Sequence, residues 1–215
     1  MTSLILALTL SASCNAVVPH ELPSDVDYAK LFAGGESFSD FLGKAQQRKE
    51  LWHGNYGRAA VPDALLARAT RVTGTWNVLV VAVDSCSDSV STIPYIAKLV
   101  ESMPNVTLRI VDPKAGKEVM EAHRTPDNRA ATPTVILLDA TFVERGCWIE
   151  RPRELQARIA GEKKSDRDST VFEGKMEWYA KDQGASTLAE FVEMLEKASH
   201  SEAACDAKPA SPSPQ

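Results

Sequence analysis

Val78-Leu79-Val80-Val81-Ala82-Val83 constrains this chain more than any other stretch. A continuous apolar run rich in β-branched residues predicts a strand buried on both faces. Asp84-Ser85-Cys86-Ser87-Asp88-Ser89 follows it, and then Val90, Ile93, Ile96, Ala97 and Val100 recur at helical spacing. A strand running directly into a helix places Cys86 at the helix start, where backbone N–H groups lack partners and the helix dipole is positive. A thiol there is favoured as thiolate, the form that attacks disulfides and peroxides. The same position equally suits a small half-buried residue that fills a strand–helix corner.

The expected helix spans 88–102 and contains Pro94. A proline inside a helix removes one backbone hydrogen bond and bends the axis, at about 3 kcal/mol if nothing compensates. Val106-Thr107-Leu108-Arg109-Ile110-Val111 reads as a second strand, parallel to the first through a right-handed crossover. A short helix over 116–123 and a loop over 124–132 lead to Pro133, which opens a third strand, 134–138. Asp139-Ala140-Thr141 predicts a turn, after which 142–149 returns antiparallel. A two-residue turn at Ala140-Thr141 pairs Cys147 with Thr134 and Trp148 with Pro133. Trp148 then shares the face of Pro133, and Cys147 points the other way.

Upstream, Pro19 and Pro23 make 17–36 an irregular lead-in. Ser37 is placed to cap an amphipathic helix carrying Phe38, Phe41, Leu42, Ala45, Leu51 and Trp52. A break at Gly54 to Gly57 precedes a second helix that starts at Pro62 and ends by Gly74. Downstream, Pro152 starts a helix through Ile159, and another carries Phe172, Met176, Trp178 and Tyr179. Thr187-x-x-Glu190 reads as a capping box for a last helix with Leu188, Phe191, Val192 and Leu195. Residues 199–215, rich in Ser, Ala and Pro, are expected to be disordered. The expected domain is 37–198.

The ends and the charge narrow the function. Leu4-Ile5-Leu6-Ala7-Leu8-Thr9-Leu10 followed by Ser11-Ala12-Ser13-Cys14-Asn15-Ala16 suits a secretory leader over 1–16. Ser11-Ala12-Ser13-Cys14 also resembles a lipoprotein processing site, which makes Cys14 a candidate lipid anchor. Export, to the periplasm or to a lipid anchor, is the expected location; an N-terminal helix of a cytoplasmic protein is the alternative. No stretch of the mature region reaches the length of a transmembrane helix. A net charge of -5 without a Lys/Arg-rich window gives no footprint for nucleic acid. Cys14, Cys86, Cys147 and Cys205 form no close pair, which excludes a Cys-x-x-Cys dithiol and a zinc ribbon. His20, His53, His123 and His200 are scattered, so no metal site is expected.

A strand, a Cys at the next helix start, a proline eight residues on, a parallel strand, and then Thr-Pro before a hairpin resembles the thioredoxin layout. Here these landmarks are Cys86, Pro94, Thr132-Pro133 and 134–149. More narrowly, Cys86-Ser87-Asp88-Ser89, Arg129-Ala-Ala-Thr-Pro133, Val135-Ile-Leu-Leu-Asp139 and Gly146-x-Trp148-x-x-Arg151-Pro152 resemble a bacterial thioredoxin-like family. Its members carry Trp-Cys-Gly-Asp-Ser/Ala at the helix start and Gly-x-Trp-Gly-Pro-Arg-Pro after the hairpin. Arg48-x-Glu50-Leu51-Trp52 and the C-terminal helices are similar too, so the resemblance covers roughly 37–197. It implies an α/β fold with a central mixed sheet of about four strands, flanked by helices and extended by helices at both ends. It also implies a cis Thr132–Pro133 bond lying against a reactive Cys86, and no cofactor. Three positions depart from the family: Ser85 replaces its tryptophan, Ser89 takes the resolving-cysteine position of true thioredoxins, and Ile149-Glu150 replaces Gly-Pro.

One cysteine sets the chemistry. Ser89 cannot clear a mixed disulfide as a second thiol does, so an external thiol is required; Cys147 is the only internal candidate for that role. The helix end favours the Cys86 thiolate by about 0.3–1 kcal/mol. An ionised Asp88 about 6 Å away opposes it by about 0.7–3 kcal/mol, depending on the effective dielectric, so the balance stays open. Three readings follow. In the first, a monothiol thiol-disulfide oxidoreductase uses Cys86 as nucleophile and Ser89 as hydrogen-bond donor, with Ser85, Ser87, Asp88, Thr132, Pro133 and Trp148 lining the substrate groove. Its partners are protein or low-molecular-weight thiols and disulfides. In the second, the same groove binds a peptide without turnover. In the third, Cys86 is a peroxidatic or sensing thiol that oxidises to sulfenic acid.

Overall fold

The computed structural model describes residues 26–161, 168–202 and 204–205. The expected leader over 1–16, Cys14 included, and most of the expected disordered tail lie outside these residues. The chain runs through α1 (Tyr28–Gly34), α2 (Phe38–Lys44), α3 (Lys49–Arg58), α4 (Asp63–Ala69), β1 (Trp76–Val81) and α5 (Ser87–Val100). It continues through β2 (Val106–Val111), α6 (Lys117–Ala122), β3 (Thr134–Leu138) and β4 (Glu144–Ile149). Then come α7 (Arg153–Ala160), α8 (Ser169–Asp182), α9 (Ala185–Ser199) and β5 (Ala204–Cys205). The strands form one mixed sheet in the order β2-β1-β3-β4-β5, with β1 parallel to β2 and antiparallel to β3.

The apolar run occupies the centre of that sheet, and Val78, Leu79, Val80 and Val81 are shut off from solvent. Strand side chains alternate between faces. Val78 and Val80 therefore join Trp52 of α3, Ile93 of α5 and Phe191 of α9 on one side. Leu79 and Val81 meet Phe32 of α1 and Val119 of α6 on the other. The unbroken hydrophobic pattern exists because both faces are covered.

Pro94 sits inside α5 without ending it. The Val90 carbonyl, which an N–H at position 94 would have met, accepts a hydrogen bond from Asn55 Nδ2 of α3 at 2.7 Å. A side chain thus replaces the lost backbone donor. Asn55→Ala is expected to lower unfolding free energy by about 1–3 kcal/mol, the cost of orphaning a partly buried carbonyl, measured by urea denaturation.

Several local expectations are corrected. Residues 28–34 of the supposed irregular lead-in are helical, started by Asp27, whose side chain accepts the Lys30 N–H. The single helix expected from Ser37 is two, α2 and α3, and Gly54 and Gly57 lie within α3. It breaks because the Gln46 and Gln47 N–H groups both donate to Asp84 Oδ2 at 2.9 Å, and Arg48 is left-handed with φ 52°. The last helix starts at Ala185, not at a Thr187 cap. Gly184, at φ 83°, supplies the entry turn, and a Cβ there would lie 2.2 Å from the Tyr95 ring. Residues 204 and 205, expected to be disordered, pair in parallel with β4 as a fifth strand.

The hairpin register differs from expectation by two. Thr134 opposes Ile149, Val135 opposes Trp148 and Ile136 opposes Cys147, with an irregularity at Leu137/Leu138. The turn is longer than two residues because Asp139 Oδ1 accepts the N–H groups of Thr141 and Val143. A shift of two preserves the faces. Trp148 thus joins the Val135 side and Cys147 the Ile136 side.

Cys147 does not carry a free thiol. It forms a disulfide with Cys205, which ties β5 to β4 and removes Cys147 as a resolving thiol. His123, buried at the end of α6, is hydrogen-bonded through Nδ1 to the Val119 carbonyl at 2.8 Å and through Nε2 to Glu144 Oε1 at 2.7 Å. Burial works against its charged form, but the hydrogen bond and charge of Glu144 and the Val119 carbonyl outweigh it and raise its pKa. Because the folded state holds this proton more tightly, the stabilisation is complete below the ordinary histidine value of about 6.5 and is lost as pH rises through the folded value. Urea titrations are expected to show that falling stability in the native chain. His123→Gln should flatten it.

Candidate functional site

The loop from β1 to α5 is fixed from outside before Cys86 is reached. Trp52 Nε1 donates to the Asp84 carbonyl at 3.0 Å, and Arg48 Nε donates to the Ser85 carbonyl at 2.7 Å. The Asp84 carboxylate receives the two N–H groups of the α2–α3 break. These bonds let α5 start at one defined point. Cys86 is its N-cap, and the Sγ accepts the Ser89 N–H at 3.4 Å. The Cys86 thiol also donates to the Thr132 carbonyl at 3.1 Å. The Thr132–Pro133 peptide bond is cis. Cys86 is half-buried, and it is the one free cysteine among the described residues.

The other expected site residues separate into two groups. Ser85 and Thr132 are half-buried beside Cys86, contributing backbone carbonyls, and Pro133 is buried next to them. The Glu150 N–H donates to the Pro133 carbonyl at 2.7 Å and so closes the β3–β4 end. Ser87, Asp88, Ser89 and Trp148 instead turn inward. The Ser89 hydroxyl is fully buried and has no hydrogen-bond partner among the described residues; its N–H, not its hydroxyl, reaches the sulfur. Trp148 packs towards α9 and donates from Nε1 to Glu190 Oε2 at 2.8 Å. Burial raises the Glu190 pKa against the pull of that donor.

Asp88 is the largest departure. It is buried, not lining a groove, and accepts from Lys175 Nζ at 2.8 Å and from the Tyr179 hydroxyl at 2.7 Å. Arg151 Nε lies 3.4 Å from Oδ1, the oxygen that accepts from Tyr179. Lys175, itself only 5 % exposed, also donates to Ser87 Oγ at 3.0 Å. Tyr179 is held well above the ordinary tyrosine value, first by burial and then by the Asp88 carboxylate. Glu150 extends the cluster, paired with Arg151 at 2.5 Å and with both terminal nitrogens of Arg129 at 3.0 Å. The anion feared as a repulsive neighbour of Cys86 is therefore neutralised in place. Two cations and a phenol enclose it.

Sequence reasoning missed Lys175, Tyr179, Arg151 and Glu150 as site-supporting groups. The available signal was the spacing Val171, Lys175, Tyr179, which forms the buried stripe of α8. A lysine on an apolar stripe reads as solvated unless its acid is known, and that acid lies 87 residues away. A ring nitrogen of His123 and the sulfurs of Cys147 and Cys205 lie within 4.8 Å of one another, but those sulfurs are bonded to each other.

A family model described as thioredoxin matches residues 35–166. A protein of unknown function from Pseudomonas aeruginosa is similar in structure, with a TM-score of 0.65, 22% identity, and coverage of 80% of this chain and 99% of its own. An HIV epitope-scaffold is similar at a TM-score of 0.62 and 20% identity, covering 80% and 98%. Likeness at these identities establishes the fold alone. Among curated proteins none matches the chain significantly.

Proposed function

The chain belongs to the thioredoxin family, and on that premise we propose that it is a monothiol thiol-disulfide oxidoreductase with Cys86 as the nucleophile. The observation that carries this reading is the placement of a lone, half-buried sulfur at the α5 N-terminus, beside the carbonyl of Thr132 and the cis Thr132–Pro133 bond. The α5 dipole and the Ser89 N–H favour negative charge on Sγ. Asp88, held by Lys175 and Tyr179, does not oppose it as a bare charge would.

In the proposed reaction the Cys86 thiolate attacks one sulfur of a substrate disulfide. A Cys86–substrate S–S bond forms, the substrate S–S bond breaks, and the departing sulfur leaves as thiolate and takes a proton from solvent. No second thiol adjoins Cys86 among the described residues. A low-molecular-weight thiol therefore attacks the mixed disulfide and regenerates Cys86, leaving the substrate sulfur in a new disulfide with that thiol. The net change is an exchange of partners, with no electrons left over.

A non-catalytic peptide-binding module is the competing reading, and it is favoured by the Cys86 thiol already engaging the Thr132 carbonyl. Glutathione in excess, a disulfide-bonded peptide substrate and the full chain separate the two. An oxidoreductase accelerates exchange, and Cys86→Ser abolishes the acceleration. A binding module retains peptide affinity in Cys86→Ser and accelerates nothing.

A further inference from the structure

We propose that the Cys147–Cys205 disulfide is a second redox site of this chain, opened by a dithiol reductant and biased towards its reduced form by the buried His123 side chain. The site does not involve Cys86 and stands or falls independently of it.

The two sulfurs differ in access. Cys147 is buried in β4, whereas Cys205 on β5 is partly exposed. An external thiolate thus reaches Cys205 Sγ more readily, which makes Cys147 the leaving group. A leaving thiolate in an apolar wall is a poor one, because burial disfavours charge. Here the wall contains the His123 imidazole. The His123 nitrogens face the Val119 carbonyl at 2.8 Å and Glu144 Oε1 at 2.7 Å, an arrangement that favours the imidazolium form. A His123 nitrogen and both sulfurs fall within 4.8 Å. Glu144 Oε2 accepts the Tyr28 hydroxyl at 2.6 Å, so each oxygen of that carboxylate is already engaged by a donor. As an imidazolium, His123 presents a buried positive charge to the facing sulfur, the environment that lowers a thiol's ionisation cost.

In the first step the reductant thiolate bonds to Cys205 Sγ, the Cys147–Cys205 bond breaks, and its electron pair stays on Cys147 Sγ beside His123. The second thiol of the reductant then attacks the mixed disulfide and closes its own disulfide, and Cys205 leaves as a thiol after taking up a proton. Two electrons pass from the dithiol to the protein. Among the described residues, the pairs Gly146–Ala204 and Cys147–Cys205 join β5 to β4. Opening the bond therefore removes the covalent tie of this short strand to the sheet edge. It also frees one wall of a cavity of about 370 Å3 lined by Cys147, Trp148, Met194 and Ala204.

The test uses the full chain carrying Cys86→Ser, equilibrated at pH 7 with mixtures of reduced and oxidised dithiothreitol, then quenched in acid and mapped by mass spectrometry. The disulfide is expected to open while the far-ultraviolet circular dichroism stays native. His123→Gln should require about tenfold more of the reduced partner for half-opening. As a readout that needs no substitution at His123, the pH profile of Cys147 alkylation in the reduced chain should have a midpoint below the free-thiol value of about 8.5. A disulfide that stays closed until the chain unfolds overturns the proposal. So does equal half-opening in the native and His123→Gln chains, or a Cys147 midpoint at or above the free-thiol value.

Discussion

Replacing Lys175 with methionine is expected to lower the unfolding free energy by about 3–5 kcal/mol, because it strips a buried carboxylate of its closest cation. Asp88 and Lys175 are 4 % and 5 % exposed and 2.8 Å apart, and Lys175 Nζ also serves Ser87 Oγ. In Lys175→Met the Tyr179 hydroxyl and Arg151 remain near Asp88, but the hydroxyl carries no charge and the guanidinium nitrogen is more distant, at 3.4 Å. The double variant Asp88→Leu with Lys175→Met removes both charges together and should recover much of the loss, since a buried pair often adds little over apolar residues of similar size. Urea denaturation of the two single variants and the double variant measures that coupling. A loss below about 1 kcal/mol in Lys175→Met would place Lys175 in solvent. The variant also unmasks negative charge two residues from Cys86, so mixed-disulfide formation should slow.

The second large effect is at Trp52. The ring is shut off from solvent, packs edge-on to Phe41 with centroids 4.9 Å apart, and faces Phe38 at 6.5 Å. Its Nε1 holds the Asp84 carbonyl, two residues before Cys86. Trp52→Ala is expected to cost about 3–5 kcal/mol through the cavity it leaves. Trp52→Phe separates packing from positioning. It keeps most of the apolar volume but leaves the Asp84 carbonyl without its donor, for about 1–3 kcal/mol. If Trp52 positions the loop, Cys86 exchange slows in Trp52→Phe at temperatures where the chain remains fully folded.

The central strand, its helix and the parallel crossover were legible because each rests on local pattern. Val78 to Val81 are apolar without interruption, and Val90, Ile93, Ile96, Ala97 and Val100 recur at helical spacing in a helix that is buried almost all round. The position of Cys86 as helix cap follows from those two patterns alone. The partners of Asp88 were not legible, because an acid in a first turn and a lysine on α8 are each ordinary until folding brings them together across 87 residues. Pairing of Cys147 with Cys205 across 58 residues was hidden for the same reason. The α2–α3 break was hidden as well, since it depends on Asp84 receiving two N–H groups from a distant segment. Thr187 misled because its spacing to Glu190 matches a capping box. Glu190 is used instead by the Trp148 indole and the Arg153 N–H, and Gly184 already makes the turn.

The central claim is that folding makes Cys86 a better nucleophile, and one comparison tests it. The reduced chain is mixed with oxidised glutathione at pH 7, quenched with acid at short times, and the Cys86 peptide is followed by mass, once with the chain native and once in concentrated urea. The account predicts that native Cys86 acquires glutathione faster than the unfolded residue, and that added thiol removes it again. A native rate equal to or below the unfolded one, with Cys86 left unmodified, would contradict it.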